Sequence, residues 1–152
     1  MSDSSTKTRI SDAMKAAMRA KEKERLATIR LIMSEFKRFE VDERKEVDDV
    51  QALVILDKML KQRRDSIEQF EKAGRNELAA IEAAEITVIQ SFMPAQLGPE
   101  EIAAMIDAAV TESGAEGVRD MGKVMAILKP QLQGRADLGK VSGEIKRKLA
   151  GS

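Results

Sequence analysis

The chain of 152 residues contains no histidine and no cysteine, and these two absences remove most of the common catalytic side chains. Without histidine there is no Ser-His-Asp triad, no imidazole base and no His-carboxylate iron site. Without cysteine there is no thiolate nucleophile, no thiolate zinc site and no disulfide. A catalytic centre would have to use Asp, Glu, Lys, Ser or Thr, with a carboxylate-bound hard cation as the remaining type of metal site.

Aromatic residues and long apolar runs are also scarce. Four phenylalanines are the only aromatic residues, and because the core needs them they leave little for stacking on nucleic-acid bases. No uncharged run approaches the ~18 apolar residues of a membrane span, so no membrane partner is expected. The first nine residues lack the apolar segment of a secretory signal, which predicts a cytoplasmic protein.

The residues that are abundant favour helices. Hydrophobic residues make up 43% of the chain and charged residues 34%, with 26 basic and 26 acidic side chains and a net charge of zero. Ala, Leu, Ile, Met, Lys and Glu are frequent, and as a set they favour helix almost everywhere. The composition therefore predicts a folded, all-α protein.

Apolar residues at three- and four-residue steps predict four helices within residues 5–93. The first helix runs to about Ala20, and the second follows a charged break. The third helix is the longest and covers about 49–73. Its expected N-cap is Asp48 or Asp49, since a carboxylate can accept hydrogen bonds from the first free N–H groups of a helix.

Gly74 is the expected stop signal between the third helix and a fourth at about 76–92. Arg63 occupies a seam position of the third helix and Glu85 falls on or beside the apolar stripe of the fourth, so the two are expected to pair across the bundle. Glu82 and Glu85 have the spacing of two metal-binding carboxylates, but ion pairing is the favoured interpretation because no histidine or partner motif is present. The expected stripe of the fourth helix comprises Leu78, Ile81, Ile86, Val88, Ile89 and Phe92.

Two prolines within residues 93–101 prevent the fourth helix from continuing. Pro99 suits the first position of the next helix, and the two glutamates that follow it are favourable in a first turn. We therefore divide the chain into an N-terminal four-helix subdomain (1–93), a linker (94–98) and a C-terminal three-helix bundle (99–152).

The C-terminal part contains a short internal repeat. DMGKVMAILK at 120–129 and DLGKVSGEIK at 137–146 align without gaps. Each unit is expected to form an amphipathic helix whose opening aspartate is the N-cap, and Pro130 and Gly134 are expected to interrupt the chain between them. Chance recurrence of a common helix-start pattern is an equally good explanation of the repeat.

Basic residues are concentrated in this repeat, since residues 119–148 carry eight basic and three acidic side chains. Lys123 and Lys140 stand in the first turns of the two helices, beside Gly122 and Gly139. Free N–H groups at a helix start bind anions, and glycine lets a phosphate approach them closely. This pattern is one that would suit a phosphate-binding surface.

Three structural alternatives remain open for these residues. The capping aspartates, Asp120 and Asp137, would occupy the same N–H groups as a phosphate. Gly139 and Gly143 are four residues apart and would also allow two helices to touch. The basic residues would equally suit a solvated face with salt bridges, some of them to the acidic helix at 98–118.

Two segments of the chain, 58–102 and 121–141, resemble the YqeY family, and the resemblance covers nearly the whole chain. These are small bacterial proteins grouped with the tail of the GatB subunit of the tRNA-dependent amidotransferase. The resemblance implies an all-helical fold with an N-terminal helical subdomain and a C-terminal three-helix bundle. It also implies a link to tRNA, because the corresponding tail of the amidotransferase helps to hold tRNA.

The shared motifs are GKVM (122–125) and GRAD (134–137), together with Val141. The stretch between GKVM and GRAD is longer here by several residues than in the amidotransferase tail. The family association includes a carbon-nitrogen ligase with glutamine as amide donor, but the part of that enzyme that binds ATP has no counterpart in this chain. The shared motifs and the lysine of the second repeat give five candidate RNA-binding residues, and Lys146 and Arg147 are added because they belong to the basic stretch 119–148. The full set of candidates is Gly122, Lys123, Gly134, Arg135, Lys140, Lys146 and Arg147.

The leading hypothesis is therefore a noncatalytic RNA-binding accessory protein that needs no cofactor and whose partner is tRNA or an aminoacyl-tRNA complex. A protein-protein adapter, in which the long third helix and its methionine- and leucine-rich neighbours receive another subunit, is the alternative. An enzyme with a carboxylate-metal or lysine-based centre is the third and least favoured possibility.

Overall fold

A computed structural model of the chain describes residues 5–151, and within that range it contains seven α-helices, one 3-10 turn and no strand. The predicted all-α class is confirmed. The prediction that the chain lacks a secretory signal rests on residues 1–9, and the first four of these lie outside the described range. No helix within 5–151 is long and apolar enough to cross a bilayer. The helices are α1 (Thr6–Ala20), α2 (Lys23–Glu43), α3 (Asp49–Lys72), α4 (Asn76–Gln90), α5 (Pro99–Ser113), α6 (Met121–Leu132) and α7 (Leu138–Ala150).

The chain divides into two compact units between Met93 and Pro94. The first unit contains α1 to α4, and α4 packs chiefly against α3. Burial of apolar side chains from all four helices is the main source of stability of this unit. The largest fully buried side chains of the first unit are Ile10, Ile29, Ile32, Leu56, Leu60 and Ile89.

The two candidate N-caps of α3 have different roles. Asp48 is the N-cap, and its carboxylate accepts a hydrogen bond from the N–H of Gln51 at 2.8 Å. Asp49 instead accepts from the N–H of Thr6 at 2.8 Å and thereby ties α1 to α3. At the other end of α3, Gly74 has a φ of +73°, which confirms it as the stop signal.

The apolar stripe predicted for α4 is wrong at Ile81. This side chain is 58% exposed, although Ile89 of the same helix is fully buried. The face of α4 that turns inward follows the three- and four-residue steps from Leu78 through Glu82 and Glu85 to Ile89. Ile81 lies about 70° around the helix from the centre of that row, because each residue turns the helix by about 100°.

The second unit contains α5, a 3-10 turn (Val118–Asp120), α6 and α7. Pro99 opens α5, as predicted, and Gly114, with a φ of +70°, ends it. Pro130 does not interrupt the chain, because α6 continues through it to Leu132. A proline this close to a C-terminus removes only one helical hydrogen bond. The buried core of the unit comprises Ile106, Val124, Leu128, Leu132, Val141, Ile145 and Leu149.

The segment interpreted as a linker is bound into the second unit. The N–H of Leu97 donates to the carbonyl of Arg135 at 2.9 Å, and the side-chain amide of Gln96 donates to the carbonyl of Gly134 at 2.8 Å. Residues 94–98 therefore approach the turn between α6 and α7 and are held to it by one backbone and one side-chain hydrogen bond.

Candidate nucleic-acid interface

The start of α6 differs from the predicted Asp-capped helix. Asp120 does not cap α6; its carboxylate accepts a hydrogen bond from the N–H of Glu116 at 2.9 Å and so holds the preceding loop. This hydrogen bond is the main reason that the pKa of Asp120 lies below its usual value. The first N–H of α6, on Met121, donates to Val118 of the 3-10 turn. The helix start is thus continuous with that turn.

The start of α7 follows the prediction. Asp137 is the N-cap, and its carboxylate accepts from the N–H groups of Gly139 at 3.0 Å and Lys140 at 3.4 Å. The capping carboxylate therefore occupies the N–H groups that a phosphate would have used. Anion binding at the start of α7 therefore has to rely on the cationic side chains.

Lys123 is accessible although it has an acidic neighbour. Its ammonium lies 3.7 Å from a carboxylate oxygen of Asp120, and the lysine side chain is 68% exposed. The Asp120 side chain is only 15% exposed, but because the lysine lies largely in solvent, a pair at this distance contributes little and exchanges readily with solvent or ligand. Gly122, beside it, is also exposed, and apart from its chain neighbours and the backbone of α6 no atom of the described residues would lie within 4 Å of a Cβ placed there.

The exposed side of α7 carries the main group of cations. Val141, Ile145 and Leu149 face the core, which leaves Lys140 and Arg147, seven residues apart, on one exposed face about 10 Å apart along the axis. Lys146, Lys140 and Arg147 have no ion-pair partner among the described residues. We call these three residues the α7 cationic face.

Lys148, one of the basic residues within 119–148, is paired with a residue of the acidic helix. The ammonium of Lys148 bonds to the carboxylate of Asp107 on α5. The alternative of a salt-bridged face therefore applies to Lys148. For Lys123 it applies only through the 3.7 Å contact with Asp120, and for the α7 cationic face it does not apply within residues 5–151.

Gly134 and Arg135 have clear structural roles. Gly134 is buried and has a φ of +77°, a conformation that favours glycine at the turn between α6 and α7. The N–H of Arg135 donates to the carbonyl of Leu132 at 2.8 Å. The carbonyl of Gly134 accepts from the Gln96 side chain, and the carbonyl of Arg135 accepts from the N–H of Leu97. The half-buried Arg135 keeps a guanidinium for which the structure gives no partner within 5–151.

The helical glycines do not serve close helix packing. A Cβ at Gly143 would meet only the guanidinium of Arg147, at 3.6 Å, and one at Gly139 only the carboxylate of its own cap, Asp137, at 3.3 Å. Neither position faces another helix, so the interpretation that these glycines let two helices touch is wrong. Glycine in a helix is less stable than alanine by roughly 0.5–1 kcal/mol, and the described structure shows no packing that offsets this cost.

The repeat does not bring its two lysines to one point. A short turn, 133–137, joins α6 to α7, and α7 packs back against α6 and against the 3-10 turn at the start of α6. Consecutive helices joined in this way run in opposite directions, so their N-termini lie at opposite ends of the hairpin. Each lysine is the third residue of its helix, so Lys123 and Lys140 are offset by about 12 Å along the hairpin, and a ligand contacting both must be extended.

In the first unit, the predicted pair between Arg63 and Glu85 is confirmed. The guanidinium Nε donates to Glu85 Oε1 at 3.1 Å, and the two side chains are 14% and 22% exposed. Burial, followed by the Glu85 carboxylate, raises the pKa of the adjacent Glu82. No group of three or more His, Cys, Asp or Glu residues within 5–151 is placed to hold a metal ion. Through its ion pair with Arg63, the Glu85 carboxylate joins α4 to α3.

The fold and this surface define an all-helical protein of two compact units, the second of which presents an exposed cationic helix face. The profile of the Yqey-like protein family matches residues 7–149 of the chain. The chain therefore belongs to the YqeY family, as the resemblance of its two segments indicated.

Fungal proteins are among the relatives of this chain. It is 37% identical, over 74% of its own length, to the mitochondrial protein named Altered inheritance of mitochondria protein 41 of Eremothecium gossypii. It is 32% identical over 84% of its length to the protein of that name from Pyrenophora tritici-repentis, and 38% identical over 64% to that of Lachancea thermotolerans. The matches span 64%, 71% and 52% of these relatives, respectively, so the chain corresponds to part of each.

Proposed function

We propose that this protein is a noncatalytic RNA-binding accessory protein whose C-terminal three-helix unit binds the phosphate backbone of tRNA, free or in an aminoacyl-tRNA complex. The observation that carries the proposal is the α7 cationic face: Lys140, Lys146 and Arg147 are exposed and without ion-pair partners among the described residues. Exposed Lys and Arg side chains release counterions from a polyanion when they replace them, which is the main source of backbone affinity.

The structure favours contacts through side chains over contacts through helix N-termini. Asp137 occupies the first N–H groups of α7, and the 3-10 turn leads directly into α6. The ligand would lie along α7 from Lys140 to Arg147 and reach Lys123 at the other end of the hairpin. An extended, regularly charged ligand such as an RNA backbone fits this spacing better than a single phosphate does. The role is sequence-independent docking, because few aromatic or amide side chains are present to read bases.

The test is a titration of bulk tRNA across a salt series with the unmodified protein and with the double variant Lys140→Gln, Arg147→Gln. Each lost phosphate contact reduces the slope of log K against log salt by about 0.7–0.9, so we expect the double variant to lower it by roughly 1.5. Glutamine retains helix propensity, which keeps the fold intact.

The matched control removes two cations from the other unit. Lys15 and Arg19 are exposed on α1, one turn apart, and Lys15→Gln, Arg19→Gln makes the same change in net charge. We expect this variant to retain the slope of the unmodified protein. A salt-independent affinity, or equal slopes for all three proteins, would contradict the proposal.

The adapter hypothesis has one observation in its favour. Val50 and Val54, one turn apart on α3, are 67% and 42% exposed, and such apolar neighbours are typical of contact surfaces. A stoichiometric protein partner that is retained after nuclease treatment and lost in Val50→Ser, Val54→Ser would favour the adapter over RNA binding.

The cytoplasmic location and bacterial origin of the chain stay predictions, and a fractionation of the native cell tests the first of them.

A further inference from the structure

A groove between α1 and α2 has an apolar floor and a polar rim. Its volume is about 550 Å³. Met14, Met33 and Phe36 form the floor; Phe36 is buried and the two methionines are half-buried. Methionine adapts its shape to irregular apolar ligands because its side chain is unbranched and flexible. The floor therefore suits an apolar chain rather than a rigid, polar molecule.

One rim of the groove is a row of polar side chains on α2. Arg30, Ser34 and Lys37 stand at positions i, i+4 and i+7, which places them on one face over about 10 Å. All three are exposed, and neither cation has a partner within residues 5–151. The row is thus cation, hydroxyl, cation, with every donor free to bind an anion.

The opposite rim contributes less net charge. Lys7 of α1 lies 2.6 Å from the Glu40 carboxylate, which also accepts from the N–H of Val47 at 3.0 Å. The Lys7 contact is the main cause of the lowered pKa of Glu40, so this acid is ionised and neutralises Lys7. Among the residues that line the groove, the charge left over is that of Arg30 and Lys37, and it is positive.

The size of the groove distinguishes between two kinds of anionic ligand. Pockets of about 300–1,000 Å³ are typical of small molecules, whereas a stable protein partner covers roughly 20–30 residues on each side. Nine residues line this groove. Its dimensions therefore fit a small molecule better than a helix of a second protein.

We propose that the groove between α1 and α2 binds a single-chain amphiphile with an anionic head group, a carboxylate or a phosphate. The head lies on the row Arg30–Ser34–Lys37, and the apolar chain covers Met14, Met33 and Phe36. This site is separate from the α7 cationic face, and the proposal does not depend on RNA binding. A free fatty acid and a single-chain phospholipid share the chemistry of such a ligand.

The test uses dodecanoate, below the concentration at which it forms micelles, and the full chain labelled with ¹³C at the methionine methyl groups. We expect saturable shifts of the NMR signals of Met14 and Met33, with Met121 and Met125 of the second unit as internal controls that do not shift. The variant Arg30→Gln, Lys37→Gln should weaken binding at least about tenfold, because the charge-assisted hydrogen bonds are lost. The variant Lys15→Gln, Arg19→Gln should bind as the unmodified protein does.

Further arms separate the sources of the ligand and the outcomes that overturn the proposal. A neutral probe with the same chain, dodecyl maltoside, should bind much more weakly than dodecanoate. Shifts spread evenly over all methionines, equal affinity for the neutral probe, or unchanged binding by Arg30→Gln, Lys37→Gln would each refute the site. Binding to vesicles of anionic lipid without binding of dodecanoate would also refute it, because it would show a surface contact rather than an occupied groove.

Discussion

Replacing Gly143 by alanine tests whether the helical glycines of the second unit contribute to packing. Gly143 is the sixth residue of α7, its φ is not in the left-handed region, and a Cβ there would meet only Arg147 Nη1, at 3.6 Å. This is an ordinary contact with the mobile end of a side chain. Gly143→Ala should therefore raise the free energy of unfolding by roughly 0.5–1 kcal/mol, the difference in helix propensity between the two residues.

Calorimetric unfolding of the full chain measures this gain. For a unit of this size, 0.5–1 kcal/mol corresponds to an increase in Tm of about 3–6 °C. Gly114→Ala is the control with the opposite sign. The space around Gly114 is also open, but its φ of +70° strains any other residue, so this variant should lose about 1 kcal/mol.

Gly143→Ala also separates stability from the proposed function. Gly143 lies between Lys140 and Arg147, and the proposed contacts with tRNA are made by those side chains rather than by the backbone of α7. We therefore expect Gly143→Ala to be more stable and to bind tRNA as tightly as the unmodified protein, with the same net charge. A destabilised Gly143→Ala would contradict this prediction, because it would mean that Gly143 makes a close contact in the folded protein.

Three further predictions concern buried and turn positions. Arg63→Met should lower the free energy of unfolding by about 2 kcal/mol, because it leaves partly buried carboxylates without their cation, and Glu85→Gln in that background should recover part of the loss in urea titrations. Glu82→Gln should stabilise the protein at neutral pH but not below pH 4.5, the pKa of this carboxyl in the unfolded chain. Because folding raises the pKa of Glu82, the stability of the unmodified protein falls as the pH rises from 4.5 through the folded pKa. Glutamine does not ionise, so the variant does not show this fall. Gly134→Ala should cost at least about 1 kcal/mol in the same titrations because its φ is +77°, and a neutral result would contradict its role at the turn.

Helices and helix ends of this protein are predictable from sequence because their signals are local. Gly74 and Gly114 end helices where a left-handed residue is needed, and Asp137 caps α7 through N–H groups two and three residues away. The pair between Arg63 and Glu85 was also predictable, since a seam position and a neighbouring apolar stripe define which residues face each other.

The wrong predictions depend on groups that local patterns do not describe. Asp120 matches Asp137 in the repeat, but a 3-10 turn precedes α6 and directs the Asp120 carboxylate to Glu116 instead. Pro130 reads as a helix breaker, yet it lies close enough to the end of α6 to remain inside it. Ile81 is apolar and in period, but the orientation of α4 is set by its packing against α3.

The candidate site could be predicted only in part. The clustering of basic residues in 119–148 is visible in the sequence, whereas the partner of each cation is not. Lys148 pairs with Asp107, more than 40 positions away, and Lys146 and Arg147 beside it have no such pair within 5–151. The groove between α1 and α2 has no motif at all, because its two rims come from different helices.

The decisive experiment for tRNA binding by the second unit is crosslinking of RNA to the purified protein, followed by sequencing of the RNA and mapping of the crosslinked peptides. We expect tRNA to be enriched and the crosslinks to fall on peptides containing Lys140, Lys146 or Arg147. Absence of enriched RNA, or crosslinks confined to peptides of the first unit, would contradict it.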